Sequence, residues 1–210
     1  MTGKLVIVRH SESNWNAQGK WTGTRNVRLS AKGEHEAELM GHTLSDLSFD
    51  QAFYTEQIRT TETLERILKF SPTPEVPLTE APALDERNYG VYTGKNKWQV
   101  KAEIGEAAFQ ELRRSWDCPM PGGETIKDVY ERVVPYYLST ILPLVSAGKS
   151  VLIVAHGNSI RALIKYLESV SDADISNVEM IFGTALLYEV DADGRMVSKT
   201  VRVIDSPPPA

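Results

Sequence analysis

Two short segments are apolar from end to end, and they restrict the fold of this chain more than any other feature. Lys4–Val8 and Ser150–Ala155 are rich in β-branched residues and show no alternation of apolar and polar positions. Uninterrupted runs of this kind are typical of strands buried on both faces of a parallel sheet. Each run leads into a polar turn and then a helical pattern, as in α/β proteins. The pattern predicts an α/β fold built on these two strands.

The rest of the chain divides between helical and strand-like patterns. Apolar spacing and end signals predict helices at about Ser30–Asp46, Gln57–Lys69, Lys97–Trp116 (interrupted near Gly105), Glu124–Val145 (bent by two prolines) and Gly157–Ser169. A third strand at Asp50–Tyr54 and a closing hairpin, Gly183–Val190 with Met196–Ile204, are also predicted. Prolines in Ser71–Pro82 exclude a helix there. We expect one domain over residues 1–210, with a lobe inserted at about 84–123 and a disordered tail at 206–210.

Composition narrows the function classes. The net charge of −5 over 210 residues argues against non-specific nucleic-acid binding, which usually needs a basic face. Cys118 is the only cysteine, so an intrachain disulfide and a cysteine-rich metal cluster are excluded. No segment approaches the roughly 20 apolar residues of a membrane span, and the N-terminus does not resemble a signal peptide. We therefore expect a cytoplasmic protein that binds neither nucleic acid nor membrane.

Both buried strands run directly into a histidine. The first is followed by Arg9 and His10, and the second by His156 and Gly157. Open α/β sheets bind ligands beyond the carboxyl ends of their strands. The helix that follows His156 would add free backbone N–H groups, which suit a phosphate. A single strand-end histidine is more often a structural residue, but this pair predicts an anion site.

The residue types at this edge indicate phosphoryl transfer. Neutral imidazole is a competent nucleophile, and the Arg9 guanidinium beside His10 would neutralise charge on the transferring group. Arg59, at the start of a predicted helix, is placed to reach the same cleft. His35 and His42 lie seven apart in another predicted helix, and we interpret them as solvated or half-buried helix residues.

The motifs around these residues resemble those of a known family. In chain order they are Arg9-His10-Ser11-Glu12-Ser13-Asn14-Trp15-Asn16, Trp21-Thr22-Gly23, Glu86-Arg87-Asn88-Tyr89-Gly90, Gly94-Lys95-Asn96-Lys97, Arg113-Arg114, Pro121-Gly122-Gly123-Glu124-Thr125 and His156-Gly157-Asn158-Ser159-Ile160-Arg161-Ala162-Leu163. The first is similar to the signature of the histidine phosphatase superfamily. Together they resemble the cofactor-dependent phosphoglycerate mutases, over residues 4 to about 190.

This resemblance implies a fold and a reaction. The fold would be a three-layer sandwich, with a mostly parallel sheet between helices and a small helical lobe over the site. The reaction would interconvert 3-phosphoglycerate and 2-phosphoglycerate through a phosphohistidine primed by 2,3-bisphosphoglycerate, without a metal. The partners would be small-molecule phosphoglycerates, while the oligomeric state stays open.

The resemblance also implies residue roles. His10 would carry the phosphoryl group and Glu86 would be the general acid and base. Arg9, Asn16, Arg59 and His156 would hold the phosphoryl group and stabilise its charge. The positions that match sites for the glycerate carboxylate or a second phosphate are Ser13, Thr22, Gly23, Arg87, Tyr89, Lys97, Arg113, Arg114, Gly157 and Asn158.

The number of cations fits a doubly phosphorylated ligand. A bisphosphorylated glycerate carries about five negative charges near neutral pH. The lobe cations Arg87, Lys97, Arg113 and Arg114 would be surplus in an enzyme that grips one phosphate. Any one of them alone is as well interpreted as a solvated surface charge, but the adjacent pair Arg113-Arg114 in a matched context favours binding.

The chain departs from the family pattern at several places. Ser11 stands where a glycine is usual, Ile58 where a lysine commonly precedes Arg59, and Thr24-Arg25 replaces an aromatic-containing turn. Phe182-Gly183-Thr184-Ala185 replaces a Thr-Gly-Val-Pro pattern, and the segment between Arg114 and Pro121 is shorter than in long members.

Other activities remain as alternatives. A bisphosphoglycerate synthase or phosphatase, or another phosphomonoesterase of the superfamily, would share the His10 step and differ in the acceptor; Ser11 keeps this alternative open. An acyl hydrolase is suggested by the strand, turn and helix around Ser159, but Arg161 stands where a nucleophile elbow needs glycine. An inactive interaction protein would be expected to lack His10 or Glu86, and no residue set has the ligand spacing of a metal hydrolase.

Overall fold

A mixed six-stranded sheet forms the centre of the computed structural model, which describes residues 2–205. Its strands are β1 Gly3–Arg9, β2 Gln51–Tyr54, β3 Leu78–Glu80, β4 Ser150–Ala155, β5 Thr184–Val190 and β6 Met196–Val203. Their order across the sheet is β3-β2-β4-β1-β5-β6; β1 to β4 are parallel to one another, β5 is antiparallel to β1, and β6 is antiparallel to β5. The mostly parallel sheet expected from the sequence is confirmed.

Strands β1 and β4 are direct neighbours at the centre of the sheet. They pair in parallel from Lys4 opposite Ser150 to Arg9 opposite Ala155. Their side chains are almost entirely buried, because helices cover both faces. The two runs that lacked polar alternation are therefore the two strands buried most completely, and their carboxyl ends meet at one edge.

The helices are α1 Asn14–Ala17, α2 Ala31–Thr43, α3 Ile58–Leu68, α4 Lys97–Ile104, α5 Glu106–Arg114, α6 Ile126–Tyr136, α7 Leu142–Ser146 and α8 Gly157–Leu167. Short 3₁₀ turns lie at Pro82–Leu84, Gly90–Tyr92 and Asp174–Asn177. The predicted helices are all present, with ends that differ by a few residues. The predicted bend falls between α6 and α7, where Tyr137–Ile141 is π-helical and flanked by Pro135 and Pro143.

Two elements were absent from the prediction. Helix α1 has a single turn, which is too short for a periodic apolar pattern. Strand β3 lies within Ser71–Pro82 and pairs with β2 over only three residues. Excluding a helix there was right, but a three-residue edge strand leaves almost no signal in the sequence. The tail at 206–210 lies outside the described residues.

Three apolar clusters set the layers. One packs α6, α7 and α8 on one face of the sheet, and a second packs α2 and α3 on the other. The third cluster holds the lobe together through Trp21, Val100, Phe109, Leu112 and Met120. The three-layer sandwich is thus confirmed, with α4 and α5 in the lobe. No helix within residues 2–205 combines the length and apolar character needed to cross a membrane.

Helix α2 begins against the loop that follows His10. Ser30 is its N-cap, as the sequence indicated, and the Ser30 hydroxyl accepts from Gly33 N at 3.0 Å while donating to Glu12 Oε1 at 2.8 Å. A Cβ at Gly33 would lie 1.9 Å from the Glu12 carbonyl oxygen. The close approach of this helix therefore requires glycine at position 33.

We predict that Gly33→Ala destabilises the fold, although alanine has the higher helix propensity. The added methyl group must displace main-chain atoms, so the free energy of unfolding should fall by about 1–3 kcal/mol. Urea denaturation measures the change. His35→Ala, at an exposed position of the same helix, is the control and should stay within about 0.5 kcal/mol of the wild type. A Gly33→Ala protein as stable as the wild type would contradict the packing described here.

Candidate active site

The site lies where β1 and β4 end side by side. His10 and His156 follow these strands, and their ring centroids are 5.0 Å apart with the rings nearly edge to face. Only 2% of His10 and 0% of His156 is exposed. The parallel pairing of the two strands is the direct cause of this proximity, because both chains leave the sheet at the same edge.

Two hydrogen bonds determine the state of His10. Its Nδ1 lies 2.7 Å from the Ser11 carbonyl oxygen, which only accepts, so Nδ1 carries the proton. The Arg59 Nε–H donates to His10 Nε2 at 3.2 Å, so Nε2 holds a lone pair. Burial, followed by the positive charges of Arg59 and Arg9, lowers the pKa of His10 well below its usual 6.5. His10 is therefore a neutral imidazole at neutral pH, with Nε2 as the nucleophilic atom.

Arg59, from the first turn of α3, is completely buried beside His10. Its Nη1 donates to the Arg25 carbonyl and its Nη2 to the Gly23 carbonyl, each at 2.8 Å. Burial lowers its pKa to about 10, so the side chain keeps its charge at neutral pH. The Thr24-Arg25 departure thus lies in a turn whose main chain holds Arg59.

Arg9 lies on the other side of His10. Its Nη1 donates to the Met180 carbonyl at 2.8 Å, and its guanidinium carbon lies 3.8 Å from the centre of the Phe182 ring. Its Nε is buried without a hydrogen-bond partner among the described residues. A buried cation with an unused donor is prepared to receive an anion.

Glu86 has one oxygen, Oε1, held by hydrogen bonds, while Oε2 has no donor among the described residues. Oε1 accepts from Arg87 N at 2.8 Å and from the main-chain and side-chain nitrogens of Asn158 at 3.2 and 3.1 Å. Asn158 Nδ2 also donates to the Tyr89 hydroxyl at 2.7 Å. Burial, and then the charge of Glu86, raises the pKa of Tyr89, which keeps its hydroxyl protonated. Proton exchange by Glu86 is therefore expected at Oε2.

A cavity of about 250 Å³ opens beside these groups. The residues that line it and the adjoining recess over His10 are Arg9, His10, Asn16, Trp21, Thr22, Gly23, Arg59, Glu86, Tyr89, Lys97, Arg113, Arg114, Gly157, Asn158, Arg161, Glu179, Met180, Ile181 and Phe182. Six of these are arginine or lysine and two are glutamate, so the lining carries a net charge of 6 − 2 = +4. A chain of net charge −5 thus has a strongly cationic cavity.

One of these cations, Lys97, holds its proton less firmly than an exposed lysine because it is buried. Burial, and then the positive charges of Arg113 and Arg9, lower the pKa of Lys97 to about 8. Arg114 is paired with Glu179 at 2.6 Å, whereas Arg113 has no ion pair among the described residues and lies over the Phe109 ring. A polyanionic ligand would restore the Lys97 charge and pair with Arg113.

Three residues predicted to bind the ligand do not line the cavity: Ser13, Arg87 and His156, of which His156 is fully buried against the His10 ring. Ser13 caps α1, and its hydroxyl is used in hydrogen bonds with Asn16. Arg87 is fully buried and donates to the main-chain carbonyls of Glu124 and Leu112. The geometry therefore corrects the predicted roles of Ser13 and Arg87. Ser13 positions Asn16, and Arg87 joins the loop after Pro82–Leu84 to the lobe.

The structure adds residues that the sequence prediction missed. Arg161 lies one helical turn after Gly157, a spacing that could have placed it at the site. The segment 178–182 had no such signal. It covers the cavity because Arg161 Nε donates to the Val178 carbonyl at 3.1 Å and Arg9 to that of Met180. Phe182 packs against the Arg9 guanidinium.

His10, Glu86 and His156 each offer a ligand atom, and these atoms lie within 4.8 Å of one another. Such a set could hold a metal ion by distance alone. The guanidinium of Arg59 donates to the same His10 nitrogen that a metal would require. The surrounding charge therefore favours an anion at this position.

Similarity to known proteins agrees with this geometry. The model of the histidine phosphatase superfamily (branch 1) matches residues 5–202. A 2,3-bisphosphoglycerate-dependent phosphoglycerate mutase of Methylobacterium radiotolerans is 40% identical, covering 94% of each chain. One of Bradyrhizobium sp. (strain ORS 278) is 42% identical over 93% of this chain and 95% of its own.

Solved structures show the same fold at lower identity. A Bacillus stearothermophilus protein, YhfR, superposes with a TM-score of 0.80 at 22% identity, over 96% of each chain. The α-ribazole phosphatase of Shigella flexneri gives 0.77 at 23%, over 97% of this chain and 96% of its own. The family match over residues 5–202, which agrees with the paired strand-end histidines, shows that this chain belongs to the histidine phosphatase superfamily, branch 1.

Proposed function

We propose that this protein is a 2,3-bisphosphoglycerate-dependent phosphoglycerate mutase that interconverts 3-phosphoglycerate and 2-phosphoglycerate. The observation that carries the proposal is a neutral His10 whose Nε2 faces a cavity of net charge +4. A ligand with two phosphates and a carboxylate matches that charge. Relatives about 40% identical over nearly their whole length bear this name, which supports the same activity here. Such an enzyme would act in the cytoplasm and need no metal.

The first step is phosphoryl transfer from 2,3-bisphosphoglycerate to His10. The His10 Nε2 lone pair forms a bond to phosphorus while the bond to the ester oxygen breaks. Arg59 Nε, which occupies that lone pair, would transfer its hydrogen bond to a phosphoryl oxygen. Arg9 and Asn16 would bind the remaining oxygens. Positioning and charge stabilisation of this kind supply most of the catalysis in phosphoryl transfer.

Glu86 would move the proton that each transfer requires. The leaving oxygen of the glycerate takes a proton from Glu86 Oε2, and an incoming hydroxyl returns one to it. The three N–H donors on Oε1 hold the carboxyl group in place and leave Oε2 for this exchange. General acid–base catalysis of this kind is typically worth 10²–10⁴-fold.

The remainder of the ligand would lie against the outer cations. The carboxylate or the second phosphate would bind to Lys97, Arg113 and Arg114, which line the cavity together with Tyr89. Because the intermediate must re-bind in the opposite orientation to move the phosphate between carbons, a broad cationic lining suits it better than one rigid pocket. This would favour a mutase over an enzyme that needs only one phosphate site.

The principal alternative is hydrolysis by a phosphatase of the same superfamily. Ser11 was the departure that kept it open. Ser11 is 97% buried and does not line the cavity; its N–H donates to Thr63 Oγ1 and its carbonyl accepts from His10. Ser11 is therefore not among the residues that line the recess over His10. The acyl-hydrolase alternative loses support because the Ser159 hydroxyl is bonded to the His156 main chain.

We predict that His10→Asn abolishes phosphoryl transfer, because the nucleophile is lost. Incubation with ³²P-labelled 2,3-bisphosphoglycerate should give acid-labile, base-stable label on the wild type and none on His10→Asn. Conversion of 3-phosphoglycerate to 2-phosphoglycerate should exceed phosphate release by a wide margin. Ser159→Ala, which removes the nucleophile of the acyl-hydrolase alternative, should still take up the label. Release of phosphate without any 2-phosphoglycerate would refute the mutase proposal and support the phosphatase.

We predict that Arg113→Met raises the KM for 2,3-bisphosphoglycerate by about tenfold, because one charge-assisted hydrogen bond is lost. The effect should shrink as salt is added. Steady-state kinetics at two ionic strengths measure both. Arg195→Met makes the same charge change on an exposed hairpin and should leave KM unaltered. Equal KM values for Arg113→Met and Arg195→Met would contradict a role of Arg113 in binding the ligand.

We predict that His10 does not take up a proton as the pH falls through 6.5. Its lowered pKa means that the neutral form persists below the pH at which an ordinary histidine becomes charged. The His10 Cε1–H signal, followed by NMR from pH 8 to 5, should move only at the acid end. The same signal in urea-unfolded protein is the reference. A midpoint near 6.5 in the folded protein would contradict the prediction.

A further inference from the structure

A chain of buried hydroxyl groups runs from α3 to His156. His156 Nε2 lies 2.9 Å from Thr55 Oγ1, which lies 3.0 Å from Thr60 Oγ1. Thr60 Oγ1 in turn lies 2.8 Å from the Thr55 carbonyl oxygen and 2.7 Å from the Gln57 carbonyl oxygen. His156, Thr55 and Thr60 are all 0% exposed, so water does not compete for these bonds.

The donor and acceptor in each hydrogen bond of this hydroxyl chain follow from the two carbonyl oxygens that Thr60 contacts. Carbonyl oxygens only accept, so the single Thr60 proton points toward them. Thr60 Oγ1 can then only accept from Thr55, which uses the Thr55 proton. Thr55 Oγ1 is left with lone pairs toward the ring and accepts from His156. Nε2 of His156 therefore carries a proton, and in the neutral ring Nδ1 does not.

His156 Nδ1 is buried and has no hydrogen-bond partner among the described residues. Its ring meets that of His10, so a phosphoryl group arriving at His10 Nε2 reaches this neighbourhood. A dianionic phosphoryl oxygen repels a nitrogen lone pair and binds an N–H. The Nε2 proton of His156 is already donated to Thr55 Oγ1. The ring can therefore offer an N–H at Nδ1 only when it is protonated to the imidazolium.

We propose that Thr60 and Thr55 fix His156 in its Nε2–H tautomer, so that it binds a phosphoryl group through Nδ1 and takes up one proton when it does so. Thr55 and Thr60 are positioning residues in this scheme, and neither touches the ligand. The proton comes from solvent or from the phosphate monoanion, and it leaves when the phosphoryl group leaves. The inference rests on the proposed phosphoryl-binding role of this site.

The charges around His156 favour such coupling. The groups that face it from the neighbouring elements are Arg9 and His10 at the end of β1, Arg59 in α3, Arg132 in α6 and Glu86 in the loop after Pro82–Leu84. Burial and then the Arg59 charge lower the pKa of His156 well below 6.5, so the free protein holds a neutral ring. A bound dianion offsets those cations and favours the charged ring.

The tautomer is tested directly by ¹⁵N NMR of the histidine rings, without any ligand. The wild type should show a protonated Nε2 and an unprotonated Nδ1 at His156. In Thr60→Val the Thr55 hydroxyl loses its acceptor and turns toward the ring, so His156 should shift to the Nδ1–H tautomer. Thr60→Ser keeps the hydroxyl and should match the wild type. An Nδ1–H tautomer in the wild type would overturn the proposal.

The proton uptake is tested with inorganic phosphate as the probe. Calorimetric titrations at pH 8, in buffers of different ionisation enthalpy, count the protons bound per phosphate. Lys97 contributes equally in every variant, so the difference between variants is diagnostic. The wild type and Thr60→Ser should take up about one proton more than Thr60→Val, whose Nδ1–H needs none. Above pH 8 the phosphate affinity of the wild type and Thr60→Ser should fall more steeply than that of Thr60→Val, by an additional factor on the order of ten per pH unit.

Equal proton uptake in Thr60→Val and Thr60→Ser would overturn the coupling. Should Thr60→Val fail to fold, ¹⁵N NMR of the wild type decides the matter, because both ring nitrogens of His156 should be protonated once phosphate is bound. Neither measurement requires turnover, so they are independent of the test with labelled bisphosphoglycerate. A protein that forms no phosphohistidine but shows the predicted tautomer and uptake would lose the mutase proposal and keep this one.

Discussion

The direct parallel pairing of β1 with β4 is the constraint on which the rest of the site depends. It places Arg9 opposite Ala155 at the last pair, so that the next residues, His10 and His156, leave the sheet together. Burial of both strands on both faces fixes their register, since a slip of one residue would exchange the side chains packed into the two cores. The distance between the two imidazoles is therefore as well determined as the core itself.

Main-chain carbonyls make a buried cationic site possible. Burying a guanidinium is costly unless its N–H groups are satisfied. Arg59 is satisfied by the carbonyls of Gly23 and Arg25, and Arg9 partly by that of Met180. Because carbonyls carry no net charge, they hold the arginines in place without neutralising them. Burial, and then the field of these cations, keeps His10 unprotonated, and the same field attracts a polyanion into a chain that is acidic as a whole.

Sequence reasoning succeeded where the signal was local. The apolar runs identified β1 and β4, Ser30 identified the start of α2, and motif matches identified most residues of the cavity lining. It failed where a residue's role depends on a partner distant in the chain. Arg87 matched a ligand-binding position, yet it is fully buried, its Nε and Nη1 donate to the carbonyls of Glu124 and Leu112, and it does not line the cavity. Residues 178–181 match no motif, and this segment covers the site because Arg9 and Arg161 bind its main chain.

By itself the sequence determined the fold class, the paired histidines and the phosphoryl-transfer chemistry, because strand pattern and motif are properties of consecutive residues. The tertiary structure alone decided which nitrogen of each histidine is available. Ser11 and Arg59 set the state of His10, whereas Thr55 and Thr60 set that of His156. A tautomer is determined by which atoms accept and donate around a ring. Most of those atoms come from residues some fifty to a hundred positions away, and only folding brings them within hydrogen-bond distance.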